Sequence, residues 1–220
     1  MTSIDSVTLE VADPAAAERF YTSAFGLDTQ LRLRAAREPT TGFRGFVLSL
    51  TVSQPADVNA LVTAALEAGA TALKPAAKSL WGYGGVVQAP DGTIWKVATS
   101  AKKDTGPATR RVDDVVLLLG VADVAASRRF YLDRGLTVAR SFGRMYVEFA
   151  TGPSPSPVGL APVTSASVKL ALYRRRALAK DVGVSPEGTG SHRIALGGAV
   201  EPFTDPDGFA WENTAVAVLS

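Results

Sequence analysis

The chain carries the same pattern twice, in the same order. Ala12-Asp13-Pro14-Ala15-Ala16-Ala17-Glu18-Arg19-Phe20-Tyr21 is echoed by Ala122-Asp123-Val124-Ala125-Ala126-Ser127-Arg128-Arg129-Phe130-Tyr131. A Gly-Leu pair follows each copy, Gly26-Leu27 and Gly135-Leu136. Each half then closes on Pro-Asp-Gly-x-x-Trp, at Pro90 to Trp95 and at Pro206 to Trp211. A matched start and a matched end imply a duplicated unit, and so a pseudo-symmetric fold with two related clefts. Differences between the copies then point to where chemistry survives.

Local patterns fill in the unit. Ile4, Val7, Leu9 and Val11 come close to strand alternation. Asp13 is placed to cap a helix with Pro14 at its first position, and Gly26 to end it. Leu31-Arg32-Leu33-Arg34 alternates as a strand, and Phe46 to Val52 reads as another. Asn59 to Ala68 has the spacing of an amphipathic helix stopped by Gly69. Leu73, Val86-Val87 and Ile94 to Val97 belong to further strands, and Asp91-Gly92 suits a hairpin turn.

Residues 102-111 are polar and rich in structure breakers, which predicts a linker between a first half, 1-101, and a second half, 112-220. In the second half, strands are expected over Val112 to Leu119, Met145 to Phe149, Val168 to Tyr173, Ile194 to Leu196 and Ala210 to Asn213. Helices are expected over Ala122 to Asp133 and Arg174 to Asp181. Gly152 to Pro162 carries four prolines and reads as a long surface loop. Repeated strand–helix–strand-strand units indicate an α+β fold with helices outside curved sheets.

Composition narrows the function. The 220 residues hold 23 basic and 21 acidic side chains, too balanced to suggest nucleic acid or an anionic membrane as partner. There is no cysteine, which excludes disulfides, thiolate metal sites and a cysteine nucleophile. No signal peptide and no membrane span are visible, so a cytoplasmic protein is expected. A hydrolase elbow and a dinucleotide fingerprint are both missing.

The paired Ala-Asp–helix–Phe-Tyr openings and Pro-Asp-Gly-x-x-Trp endings resemble those of the vicinal oxygen chelate superfamily. That superfamily includes glyoxalase I, extradiol dioxygenases and bleomycin-resistance proteins. The resemblance covers almost the whole chain. It implies tandem βαβββ modules whose mixed sheets curl around a cavity. In metal-dependent members, a His on the first strand, a second His or Glu, and a Glu after the closing turn hold a divalent ion. Two neighbouring substrate oxygens complete its shell.

Carried onto this chain, the resemblance makes the first cleft metal-free. Ser6 stands for the first His, Val47 lies near the second ligand position, and Lys96 replaces the Glu. In the second half it assigns Asp114, His192 and Glu212 as ligands, with His192 the sole histidine and Glu212 also the candidate catalytic base. Such a set suits Fe(II), Mn, Ni or Zn. Against this, a histidine beside a loop is usually hydrogen-bonded or solvated, and Glu212 could pair with Arg193.

Trp81 and Tyr83, in a glycine-rich segment, are expected either in a pocket wall or in a packed turn. Arg144, Tyr146 and Glu148 alternate on one strand face, where they would bind a polar substrate if that face lines the cavity. The Pro-Asp-Gly turns and the Phe-Tyr pairs read as structural. Two functions follow, beside a third reading in which the chain is a degenerate structural or interaction member with no small-molecule role. One is a metal-dependent lyase, isomerase or dioxygenase acting on a small vicinally oxygenated molecule. The other is a metal-free binding or sequestration protein of the antibiotic-resistance type, with no metal cofactor. Relatives also exchange modules between chains, so a homodimer is open.

Overall fold

The structure, a computed structural model, describes residues 4–27, 31–150, 168–189, 192–198 and 200–213. The proline-rich loop expected at Gly152 to Pro162 lies outside these residues. In chain order the elements are β1 (Ser6–Val11), α1 (Pro14–Phe25), β2 (Leu31–Ala35), β3 (Thr41–Gly42), β4 (Phe46–Thr51), α2 (Pro55–Glu67), β5 (Thr71–Ser79), β6 (Gly82–Gln88) and β7 (Ile94–Thr99). Then come β8 (Asp114–Val121), α3 (Val124–Leu132), β9 (Val138–Phe142), β10 (Tyr146–Phe149), β11 (Val168–Arg174), α4 (Arg175–Val182), β12 (Gly188–Thr189), β13 (Ile194–Gly198), β14 (Phe203–Thr204) and β15 (Ala210–Asn213).

The helix starts follow from their caps. The Asp13 carboxylate accepts from the Ala16 amide at 3.0 Å, Pro14 opens the helix, and Gly26 closes it at φ 65°. Asp123 does the same for α3, accepting from Ala125 and Ala126. Helix α2 begins at Pro55, a turn earlier than its apolar spacing suggests, because Pro55 suits the first helical position and Asp57 the first turn.

Two βαβββ modules are complete. They are β4-α2-β5-β6-β7 and β8-α3-β9-β10-β11, joined by antiparallel pairing of β4 with β8 into an eight-stranded mixed sheet. The short β3 and β12 pair with each other, and the remaining strands make a five-stranded mixed sheet in the order β14-β15-β13-β1-β2. This sheet joins the start of the chain to its end, because β1 pairs with β13 and Ser6 lies opposite Gly197. Each sheet therefore draws on both sequence halves. The architecture is α+β, with four helices among the described residues.

Strand alternation sorts side chains onto two faces. On the face turned to the core, Leu48, Leu117 and Leu170 pair across β4, β8 and β11. They join Trp95, Tyr131, Phe149 and Trp211 in one continuous apolar core shared by both sheets.

The predicted linker is irregular but not loose. It is strapped to the first turn of α2 by two buried side chains. Gln54 accepts from the amides of Thr105 and Gly106, and its own amide donates to the Pro107 carbonyl. Asp57, 1% exposed, accepts from the Thr109 amide and hydroxyl and from the Arg110 amide. No described helix is long and apolar enough to cross a membrane.

Candidate functional site

The face of the five-stranded sheet turned away from the core carries Ser6, Thr8 and Glu10 of β1, Arg32 and Arg34 of β2, Ala195 and Gly197 of β13, and Glu212 of β15. Arg34 crosses this face. Its Nη1 donates to both Glu212 oxygens at 2.7 and 2.9 Å, while Nε and Nη2 donate to Glu10 at 3.1 and 2.7 Å. Two strands separate β2 from β15, so a flat sheet would hold them about 14 Å apart. The bidentate contact therefore requires the sheet to curl, and the small residues Ala195 and Gly197 leave room for the guanidinium above the floor. Burial opposes the Arg34 charge, but the bonds from Glu212 and Glu10 outweigh it and hold the guanidinium above the ordinary arginine value. Ser6 is 2% exposed, and its hydroxyl has no partner among the described residues.

The corresponding face of the eight-stranded sheet is partly filled by the chain itself. Helix α4 lays Leu178, Ala179 and Val182 against Val47, Val86, Ile94, Leu118 and Ala171. Lys96 pairs with Asp181 at 2.6 Å, and the Lys74 ammonium donates to the carbonyls of Lys180 and Asp181. At the position where the resemblance places a metal-binding Glu there is thus a lysine, and its charge anchors α4.

The three residues assigned as metal ligands are not brought together. Asp114 opens β8 in the eight-stranded sheet and pairs with Lys169 at 2.7 Å. Glu212 lies in the other sheet, engaged by Arg34. His192 precedes β13, packed on Phe209 with ring centroids 4.1 Å apart and its Cε1 3.0 Å from where a Gly208 side chain would begin. Gly208 precedes Glu212 by four residues, about 13 Å of strand. Burial, then the neighbouring Arg175 charge, lowers the His192 pKa against the pull of Asp207. Among the described residues no three His, Asp or Glu side chains cluster as a metal would need. A divalent ion needs several carboxylate or imidazole donors free at one point. Here two of the assigned donors are already neutralised by Lys169 and Arg34, so the residues present do not fit one.

The expected pocket residues also part company. Tyr146 and Glu148 share a face of β10, where the phenol donates to the carboxylate at 2.7 Å and Arg140 lies 3.5 Å from the same group. Burial, reinforced by Glu148, raises the Tyr146 pKa beyond its ordinary range. Arg144 is exposed in the β9–β10 turn. Tyr83 points to the other face of its sheet, donating to Asn59 of α2 at 2.8 Å, and Trp81 is 80% exposed at the β5–β6 hairpin tip. Glu10 and Arg34 do not stand out in sequence. The signal available was the charge alternation of Arg32 and Arg34 in a strand that also alternates in hydrophobicity.

No family model matches the chain, and no curated protein matches it significantly. Solved structures do match. Glyoxalase I of Zea mays superposes with a TM-score of 0.60 at 15% identity, covering 96% of this chain and 91% of that one. A glyoxalase/bleomycin resistance protein/dioxygenase family enzyme of Burkholderia phytofirmans PsJN is 22% identical with a TM-score of 0.41, and 99% of it aligns with 45% of this chain. The chain therefore shares the fold of glyoxalase I over almost its whole length.

Proposed function

We propose that the protein binds a small polar molecule on the concave face of the five-stranded sheet, without a metal ion, as a binding or sequestration protein. The observation that carries this reading is the Arg34 guanidinium held between Glu10 and Glu212. A protein cation already balances the carboxylates that a chelated ion would need. Thr8 and Arg32 line the same floor and offer hydroxyl and guanidinium donors to a ligand's oxygens. The filling of the other concave face by α4 supports the choice of sheet.

The test has two parts. Protein purified without chelator should hold no stoichiometric Fe, Mn, Ni or Zn, before or after adding each ion. A library of small polar ligands should yield thermal stabilisation that Thr8→Val and Arg32→Ala together remove. Near-stoichiometric metal that disappears in Glu212→Gln or His192→Ala would overturn the reading and restore the metal-dependent enzyme.

A further inference from the structure

We propose that the junction between the two sheets is a binding site for a compact tetrahedral oxyanion, formed by Arg44, Arg175, His192 and Arg193 around Gly45. This site is separate from the concave face described above. Gly45 sits at φ 86°, and the atoms its missing side chain would meet first are Arg175 Nη1 and His192 Cδ2. The absent Cβ leaves space where a guanidinium and an imidazole approach one point.

None of the three arginines has a carboxylate within ion-pair distance among the described residues. Each is oriented instead by neutral acceptors. Arg175 donates Nε to the Pro186 carbonyl at 3.1 Å and Nη2 to the Phe43 carbonyl at 2.8 Å. Arg44 donates to the Asp91 carbonyl and to the Thr93 hydroxyl. Arg193 donates Nη2 to the Glu38 carbonyl. Among the described residues these bonds fix the geometry while leaving Arg175 Nη1 and Arg193 Nε uncommitted. The Arg193 Nε is buried with no partner among the described residues. A buried cationic N–H left unpaired is costly, and an ion is one of its recognised explanations. Arg193 also holds φ 56°, a left-handed conformation uncommon outside glycine, and such outliers gather at ligand sites.

The cations also press on one another. Burial and then the Arg193 charge lower the Arg44 pKa, opposed by Asp91 between those two in size. Arg175 acts likewise on His192. The nearest acids are engaged elsewhere. Asp91 accepts from Tyr21 and the Thr93 amide, and Asp207 from Ser127 and the Ala122 amide. A phosphate or sulfate would relieve this repulsion, and its several oxygens suit donors arriving from different chain segments. It would also tie the two Pro-Asp-Gly turns together, since Arg44 reaches Asp91 and His192 lies on Gly208.

The sole histidine supplies the readout. Inorganic phosphate is titrated into the whole protein at pH 8 and constant ionic strength, following the imidazole resonances. Phenyl phosphate is run in parallel. Saturable shifts are expected, weakened at least tenfold in Arg193→Gln and in Arg44→Gln, with unchanged starting spectra in at least one. Tighter binding of inorganic phosphate would identify a free anion, and tighter binding of phenyl phosphate a ligand's phosphoryl group. Shifts that follow ionic strength alone, or that persist at full affinity in both variants, overturn the proposal.

Discussion

The Tyr131 hydroxyl donates a 2.6 Å hydrogen bond to the buried carboxylate of Asp205, in the turn between β14 and β15. Tyr21, its counterpart in the first half, donates to Asp91 at 2.7 Å. The repeat aligns Asp91 with Asp207, not Asp205. Equivalent tyrosines thus reach acceptors two positions apart. Asp207 is released to bind Ser127 and the Ala122 amide at the start of α3. Each tyrosine latches the first helix of one module to the closing turn of another, and Trp95 or Trp211 packs behind it.

Tyr131→Phe is expected to cost about 1–3 kcal/mol, because it leaves a buried carboxylate short of a donor. Tyr21→Phe should cost less, since Asp91 is only half-buried and keeps the Thr93 amide. Urea denaturation of both variants checks the order. Equal losses would contradict the difference in burial.

Asp57 should be the pin that holds the linker. Burial disfavours its charge, but hydrogen bonds from Thr109 and Arg110 outweigh this and hold its pKa below the ordinary value. A depressed carboxyl stabilises the fold above its unfolded pKa near 4 and loses that contribution as pH falls through the folded value. Asp57→Ala is expected to cost about 1–3 kcal/mol at pH 7. It should also speed tryptic cleavage at Lys102, Lys103, Arg110 and Arg111. Unchanged cleavage would mean that Gln54 holds the linker alone.

The His192 pKa is lowered on folding, so the folded state prefers the neutral ring. Unfolded chains then bind the extra proton more readily as pH drops below about 6.5. Thermal stability is expected to decline from pH 7 toward pH 5 for this reason, and His192→Gln should flatten that part of the profile. An identical decline in the variant would assign it to other groups.

Arg34→Met should change stability by less than about 1 kcal/mol, because the pair partners are partly exposed and screened. It would also leave Glu10 and Glu212 without their shared cation. The variant is expected to take up Mn(II) weakly where the natural chain does not, as electron paramagnetic resonance would show. Failure to gain the ion would mean that the carboxylates relax apart.

Local order was legible in this chain; long-range pairing was not. Asp13, Pro14 and Gly26 bound α1 because caps act within a few residues. The alternation in Leu31-Arg32-Leu33-Arg34 identifies β2, yet nothing local says that Arg34 crosses two strands to Glu212. Asp114, His192 and Glu212 line up with a family pattern along the chain, but strand pairing sends Asp114 to one sheet and Glu212 to the other. His192 then falls just outside β13, beside the left-handed Arg193, where no periodicity applies. Tyr146 and Glu148 share a face because alternation within one strand is a local property, whereas Arg144 falls in the turn before β10. Tyr83, open in sequence between a pocket wall and a packed turn, lies in a regular strand, β6, that turns the phenol toward α2.

The pairing of Ser6 with Gly197 sets a timetable for synthesis. At about 5–20 residues per second, a ribosome delivers the partner of β1 roughly 10–40 s after β1 itself. During that interval β1 and β2 have only each other, with an open edge where β13 will lie. The module β4-α2-β5-β6-β7 has all its own strands by residue 99 and pairs with no later strand except β8, although α4 still has to cover its outer face. A nascent chain paused at the linker would therefore carry this module with its strands complete beside the still unpaired edge of β1.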